Sequence, residues 1–248
     1  MRRDGNMDRA MVTGIVLHMG KGGAKGKTCW LYTKERGLLP VYMTSKSQGK
    51  NASLLSRPFS EVRCSGSFSD ALFHVSQTER ITAPGLVHES LETFVYTAIM
   101  VELVQSFCSG QDSDWHIYEL LRRYGEQIGK KNLPVLTMIA GWNLISYLGY
   151  LPDLRYCRIY SGFCQGKKRY WIDNDVMKEF GVEVKEERIS EEFRELWKSL
   201  LSYFKTGVIA AITRRQAAFL EQLLLDYAEQ CAEKELNSRS FLDLAENN

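Results

Sequence analysis

From residue 12 to residue 77 the apolar residues fall in short runs rather than long stripes. Residues 12–17, 28–32 and 38–44 are rich in β-branched and aromatic side chains, and glycine-bearing turns at 20–26 and at Gly37 separate them. Shorter runs of the same kind stand at 59–64 and 71–77. Closely spaced runs of this length predict five or six strands in a small barrel or sandwich, and no helical period shows in this region.

The period changes after Pro84. Phe94, Ala98, Val101, Val104 and Cys108 recur at spacings of three and four, and Ile117, Leu120, Leu121, Tyr124 and Ile128 repeat the pattern more cleanly. Both predict amphipathic helices. Pro134 suits a first helical turn, Val135, Met138, Ile139 and Trp142 continue the next helix, and Gly149 with Pro152 ends it. Residues 153–185 read as irregular. Phe193, Leu196, Trp197, Leu200 and Phe204 then form another stripe, and a capping box from Thr213 to Gln216 opens a last helix with Leu220, Leu223, Leu224, Tyr227 and Cys231 on one side. The pattern is α+β: a β module over residues 1–82, then a helical domain over 83–248 with an insert at about 153–185.

Charge sharpens this division. The chain has 248 residues and a formal net charge of only +2, yet residues 1–63 hold 12 Lys/Arg against four acids. The remaining residues are correspondingly acidic. A basic first quarter on an acidic body points to a polyanionic partner. The six cysteines, Cys29, Cys64, Cys108, Cys157, Cys164 and Cys231, form no paired framework, so they read as reduced thiols in a cytoplasmic protein. No apolar run approaches the length of a membrane span.

The turn at 21–28, reading KGGAKGKT, invites comparison with a phosphate-binding P-loop. A P-loop needs a glycine five residues before the glycine of Gly-Lys-Thr, because its backbone must wrap one phosphate while the lysine reaches the next. Lys21 occupies that position, and no α/β alternation follows. A nucleotide-dependent enzyme is therefore the alternative reading, with a helical protein–protein adaptor as a second. The favoured reading is a cationic hairpin turn: Lys21, Lys25 and Lys27 lie in the same module as Lys34, Arg36, Lys46, Lys50 and Arg57, interleaved with Trp30, Tyr32 and Tyr42. Cationic grooves with aromatic stacking faces hold single-stranded nucleic acid. Strand alternation places half of those aromatics in the core. His18, His74, His88 and His116 are isolated, and Glu102 is a lone carboxylate in an apolar helix. No nucleophile, base and oxyanion hole assemble, so no enzyme is expected.

Short motifs in order also resemble one family. Gly14-Ile-Val-Leu17, Thr33-Lys-Glu-Arg-Gly-Leu-Leu39, Pro58-Phe59, Glu79, Val101-Glu-Leu-Val104, Leu148-Gly-Tyr-Leu-Pro-Asp-Leu154 and Leu236-Asn-Ser-Arg239 resemble RecO, the bacterial recombination mediator family. The likeness covers most of residues 12–162 and thins over 163–230. It implies an N-terminal OB-fold β-barrel, an α-helical domain and, in many members, a zinc-finger-like insert. It further implies binding to single- and double-stranded DNA, strand annealing, and action with RecR to load RecA onto DNA coated by single-stranded-DNA-binding protein, in the bacterial cytoplasm with the nucleoid. Lys21, Lys25, Lys27, Lys34, Arg36, Lys46, Lys50, Arg57, Trp30 and Tyr42 are the expected DNA-binding residues. Only Cys157 and Cys164 stand where the family has two cysteine pairs, so the insert is degenerate and no zinc or other cofactor is expected.

Overall fold

In a computed structural model the described residues are 9–20, 26–44, 48–84, 90–108, 110, 112–154, 157–173, 185–187 and 189–242. The chain divides into two compact units, one formed by residues 1–97 with 108–131 and the other by residues 98–107 with 132–248. The first five strands end at Thr82, but the first unit also takes in residues up to 97 and 108–131.

Five strands build the first unit: β1 (Ala10–Met19), β2 (Gly26–Thr33), β3 (Gly37–Thr44), β4 (Glu61–Ser69) and β5 (Leu72–Thr82). They close into a barrel in the order β1-β2-β3-β5-β4, with β4 returning to β1. Alternation decides what goes inside. Val12, Val16, Cys29, Leu31, Leu39, Val41, Met43, Val62, Cys64, Phe73 and Val75 fill the interior, and Leu55 plugs it. Burial pushes the Cys64 thiol up to about 11, so it behaves as a small apolar side chain.

The β3–β5 contact is parallel and covers only Val41↔Phe73 and Tyr42↔His74. Helix α1 (Gln48–Leu55), absent from the sequence reading, completes the wall here. The Asn51 side chain donates to the Ser76 carbonyl at 3.2 Å and accepts from the Thr78 amide at 2.9 Å, doing for β5 what a neighbouring strand does elsewhere.

Helix α3 (Trp115–Gln127) belongs to the same unit and covers part of the barrel's outer wall. Asp114 caps it by accepting from the His116 amide, and its apolar stripe of Ile117, Leu120, Leu121 and Tyr124 is buried as the spacing predicts. The Tyr118 hydroxyl donates to buried Glu61 at 2.6 Å, and the Tyr32 hydroxyl accepts from the Asp114 amide at 3.2 Å. Gly125 lets the helix approach: a β-carbon there would sit 2.7 Å from the Phe59 carbonyl oxygen. Phe59, at φ 62°, in turn packs its ring edge-on against Tyr124 at 4.8 Å.

Helix α2 (Leu91–Phe107) differs from its expected face. Val101, Val104 and Cys108 of that face are buried as expected, but Phe94 is exposed, and Val95, Tyr96, Ile99, Met100 and Leu103 are buried besides. The helix is apolar on nearly all sides, so spacing alone could not choose the buried one.

In the second unit α4 (Leu133–Tyr147) is central, with Asn132 as its N-cap and Pro134 in the first turn. Its Trp142 donates from Nε1 to the Leu220 carbonyl at 3.1 Å and lies edge-on to Trp197 at 4.5 Å. Helices α5 (Glu191–Thr206) and α6 (Arg214–Ala232) flank it, and the Thr213–Gln216 capping box forms. The segment read as irregular is instead a three-stranded antiparallel sheet, β6 (Arg158–Cys164), β7 (Lys167–Asp173) and β8 (Lys185–Glu187), in the order β7-β6-β8. Asp226 and Gln230 of α6 serve the outer edge of β7: Tyr170 N–H donates to Asp226 at 2.6 Å, and Gln230 donates to the Ile172 carbonyl at 3.2 Å.

Two carboxylate clusters hold the last described turn. Asp226 and Glu229 bind Arg169 and Arg239, with Arg239 at 2.6 Å and 2.8 Å from the two acids. Glu102, singled out as a lone acid, accepts four hydrogen bonds: from the Asn237 amide and side chain at 2.9 and 3.0 Å, and from the Ser238 amide and hydroxyl at 2.8 and 2.6 Å. Burial alone would raise the Glu102 carboxyl, but the bonds from Ser238 and Asn237 outweigh it and hold it below the ordinary carboxylate value.

Candidate nucleic-acid interface

The outward face of β2 and β3 follows from register. Thr28 lies opposite Tyr42, and Trp30 opposite Pro40. Because Cys29, Leu31, Val41 and Met43 point into the core, these four residues point out. Trp30 and Tyr42 are diagonal neighbours on this face, within reach of one another's ring-sized side chains. Gly26 seats the second of them, since a β-carbon there would meet the Tyr42 hydroxyl at 2.5 Å. The same rows continue sideways. His18 of β1 stands opposite Trp30, and His74 of β5 lies beside Tyr42 with the rings edge-on at 5.5 Å.

Helix α3 divides the outer wall. Ile15 and Tyr32 are buried there, while Trp30 and Tyr42 stay half-exposed. An aromatic platform flanked by two imidazoles is thus open to solvent on a wall whose continuation is covered.

The basic residues do not all converge on it. Lys27 opens β2 and shares the inward parity of Cys29, which places it at the barrel's rim. Lys34 follows the far end of β2, seven residues on, roughly 23 Å away along the strand. Its ammonium is held over the rings of Trp115 and Tyr118 at 5.2 and 5.0 Å. Arg36, in the β2–β3 turn, stacks over Phe68 at 4.3 Å. Arg57 is exposed on the segment joining α1 to β4. Lys21, Lys25 and Lys46 lie outside the described residues, as does the side chain of Lys50 in α1. The structure therefore sets Trp30 and Tyr42 on one face of the β2–β3 sheet, with the Tyr42 ring turned toward Gly26, leaves Lys27 at the barrel's rim on the opposite parity, and separates Lys34 and Arg36 from them.

Two other chemistries meet geometric obstacles. The P-loop comparison needs a strand, a loop and a helix N-terminus, whose dipole and free amides hold the phosphate. Here the turn joins two antiparallel strands, with Met19 opposite Cys29, and Thr28 sits inside β2. Cys157 immediately precedes β6 and Cys164 ends it, seven residues on and roughly 23 Å away at strand rise. Zinc requires its sulfurs about 2.3 Å from one ion, so this pair does not fit a shared site. Among the described residues no three His, Cys, Asp or Glu side chains are grouped to hold a metal ion, and no helix is long and apolar enough to cross a membrane.

His18 and His74 were missed as platform residues because only cross-strand register brings them there. A second concavity, a cleft of about 500 Å³ in the second unit, is lined by Ile159, Tyr170, Phe193 and Phe219 with Lys168 and Arg215 and no carboxylate.

No curated protein sequence matches the chain. Residues 88–240, more than half of the 248 residues, match the family described as Recombination protein O C terminal. The chain belongs to the recombination protein O (RecO) family, and with it to the proteins of DNA recombination and repair.

Proposed function

We propose that the five-stranded barrel is an OB-fold that binds single-stranded DNA on its outward β2–β3 face, and that the protein is a recombination mediator rather than an enzyme. Five antiparallel and parallel pairings in the order β1-β2-β3-β5-β4, with a helix between β3 and β4, support the OB reading. The observation that carries the DNA reading is the half-buried pair Trp30 and Tyr42 on the outward β2–β3 face, where Tyr32 of the same face is fully buried. Bases stack on the two rings, and Lys27 with the lysines of the adjoining turn neutralises phosphates by counterion release.

Annealing follows from the same surface, because two strands held on a cationic barrel repel each other less. In this reading double-stranded DNA binds by phosphate contacts alone, and the protein acts with RecR to load RecA onto DNA coated by single-stranded-DNA-binding protein. It works without nucleotide hydrolysis, without zinc and in the bacterial cytoplasm at the nucleoid.

Anisotropy titration of a labelled oligothymidylate tests the site. Stacking contributes about 1–3 kcal/mol per base, so Trp30→Ala with Tyr42→Ala weakens binding at least about tenfold. Wild-type affinity in that double variant would remove the platform from the proposal. Strand annealing on protein-coated DNA, with and without RecR, tests the mediator role. The cleft of Phe193 and Phe219 favours a second role for the helical unit as an adaptor for protein partners. Phe219→Arg then lowers capture of RecR or of single-stranded-DNA-binding protein without changing oligothymidylate affinity; equal capture by the variant refutes it.

A further inference from the structure

The platform holds two side chains that neither charge counting nor motif reading gives to DNA. His18 is exposed and stands opposite Trp30 across β1 and β2; the register shifts just before it, between Val16 and His18. His74 is half-buried, edge-on to Tyr42 on one side and opposite Ser67 of β4 on the other. Each stacking ring therefore has one imidazole as its lateral neighbour. That juxtaposition has the form of a single nucleotide: a flat base and, beside it, one anionic phosphate.

Imidazole is the side chain that gains its charge between about pH 8 and pH 5. The outward residues next to the two histidines are Thr28, Trp30, Pro40, Tyr42 and Ser67, and none is an acid. The charged groups on the adjoining described elements are Lys27 at the start of β2, Arg36 over Phe68, Asp70 in the β4–β5 turn, Arg63 and Glu79, which pair with each other at 3.9 Å, Arg80 of β5, Glu61 of β4, which accepts from Tyr118, and Glu119, Arg122, Arg123 and Glu126 of α3, which pair among themselves. No carboxylate among these outward neighbours thus competes with a phosphate for either imidazole.

We infer that His18 and His74 are DNA-contacting residues, each taking one backbone phosphate when protonated beside a base stacked on Trp30 or Tyr42. This rests on the reading of the β2–β3 face as the single-strand site. The consequence is an affinity for single strands that rises as pH falls. For single strands each neutralised phosphate steepens the dependence of log affinity on log salt by about 0.7. Two imidazolium contacts therefore add roughly 1.4 to the slope.

The experiment is an anisotropy titration of labelled oligothymidylate by the full-length chain over a series of salt concentrations, at a mildly alkaline and a mildly acidic pH. Wild type shows a slope steeper by roughly 1.4 and tighter binding at the acidic pH. His18→Gln with His74→Gln, which keeps size and hydrogen-bonding capacity, shows the same slope at both. A wild-type slope that does not change with pH, or a pH difference that persists in the double glutamine variant, overturns the inference. Trp30→Ala with Tyr42→Ala separates the two ideas. If that variant loses binding at both pH values while the histidines have no effect, only the phosphate contacts fail; if it binds like wild type, the platform itself fails.

Discussion

Replacing Glu102 by Gln removes one charge and half of a four-bond clamp. The carboxylate accepts from two amides, one side-chain amide and one hydroxyl, all at 3.0 Å or less. A glutamine in the same place keeps one oxygen and turns an NH2 group toward donors, so two bonds are lost and replaced by a donor–donor conflict. Bonds to a charged acceptor contribute about 1.5–3 kcal/mol each when well shielded. This carboxylate is only half-buried, so solvent takes up part of the loss. The net cost is then about 1–2 kcal/mol. With a urea dependence of about 2 kcal/mol per molar, the middle of the usual range, the unfolding midpoint falls by roughly 0.5–1 M. Near-ultraviolet circular dichroism reads this change through Trp142 and Trp197, both buried in the second unit.

The pH dependence of the difference is a second readout. The folded carboxyl lies below its ordinary value, so its contribution is complete above the unfolded value of about 4.3 and is lost as pH falls through the lower folded one. The gap between wild type and Glu102→Gln should therefore be constant near neutrality and close in acid. An unchanged midpoint at neutral pH, or a gap that widens in acid, would refute the clamp.

Further outcomes follow from other contacts. Gly125→Ala pushes a methyl to 2.7 Å from the Phe59 carbonyl and lowers barrel stability by about 1–3 kcal/mol, visible as a lower thermal midpoint. Asp226→Ala takes one of two carboxylates from Arg169 and Arg239, which keep Glu229, and leaves the Tyr170 amide unpaired; the expected loss in urea unfolding is about 1–3 kcal/mol. Lys34→Ala gives up a cation held on two rings, costing about 0.5–1 kcal/mol of stability. Because that cation is already engaged with α3, its removal changes the salt dependence of DNA binding less than Lys27→Ala does; an equal change would place Lys34 on the DNA path.

The barrel was legible chiefly because β2 and β3 alternate cleanly, with Cys29, Leu31, Leu39, Val41 and Met43 inside at every second position. Helix α1 was not, since among its described side chains Asn51, Leu54 and Leu55 are buried and no stripe marks them. The β6–β7 hairpin was obscured by its own tip, where Phe163 is exposed and Lys167 and Lys168 interrupt the alternation. At the candidate site, alternation along single strands was enough to set Trp30 and Tyr42 on the outer face. Placing the histidines beside them needed a register with a shift in β1 and a parallel β3–β5 contact, neither of which spacing encodes. The basic residues read as one module are spread by the length of β2, which carries Lys27 and Lys34 to opposite ends. The Leu236-Asn-Ser-Arg239 motif, part of the family likeness, acquires a physical meaning: its asparagine and serine bind Glu102, and its arginine binds Asp226 and Glu229.

The amide of Asn51 also bears on how this barrel can vary over evolutionary time. It stands in for a missing stretch of strand, so closure between β3 and β5 depends on one helical side chain and two residue pairs rather than on a long ladder. Changing the length of the passage from β3 into α1 therefore leaves the wall closed as long as an amide returns to the same two backbone groups of β5.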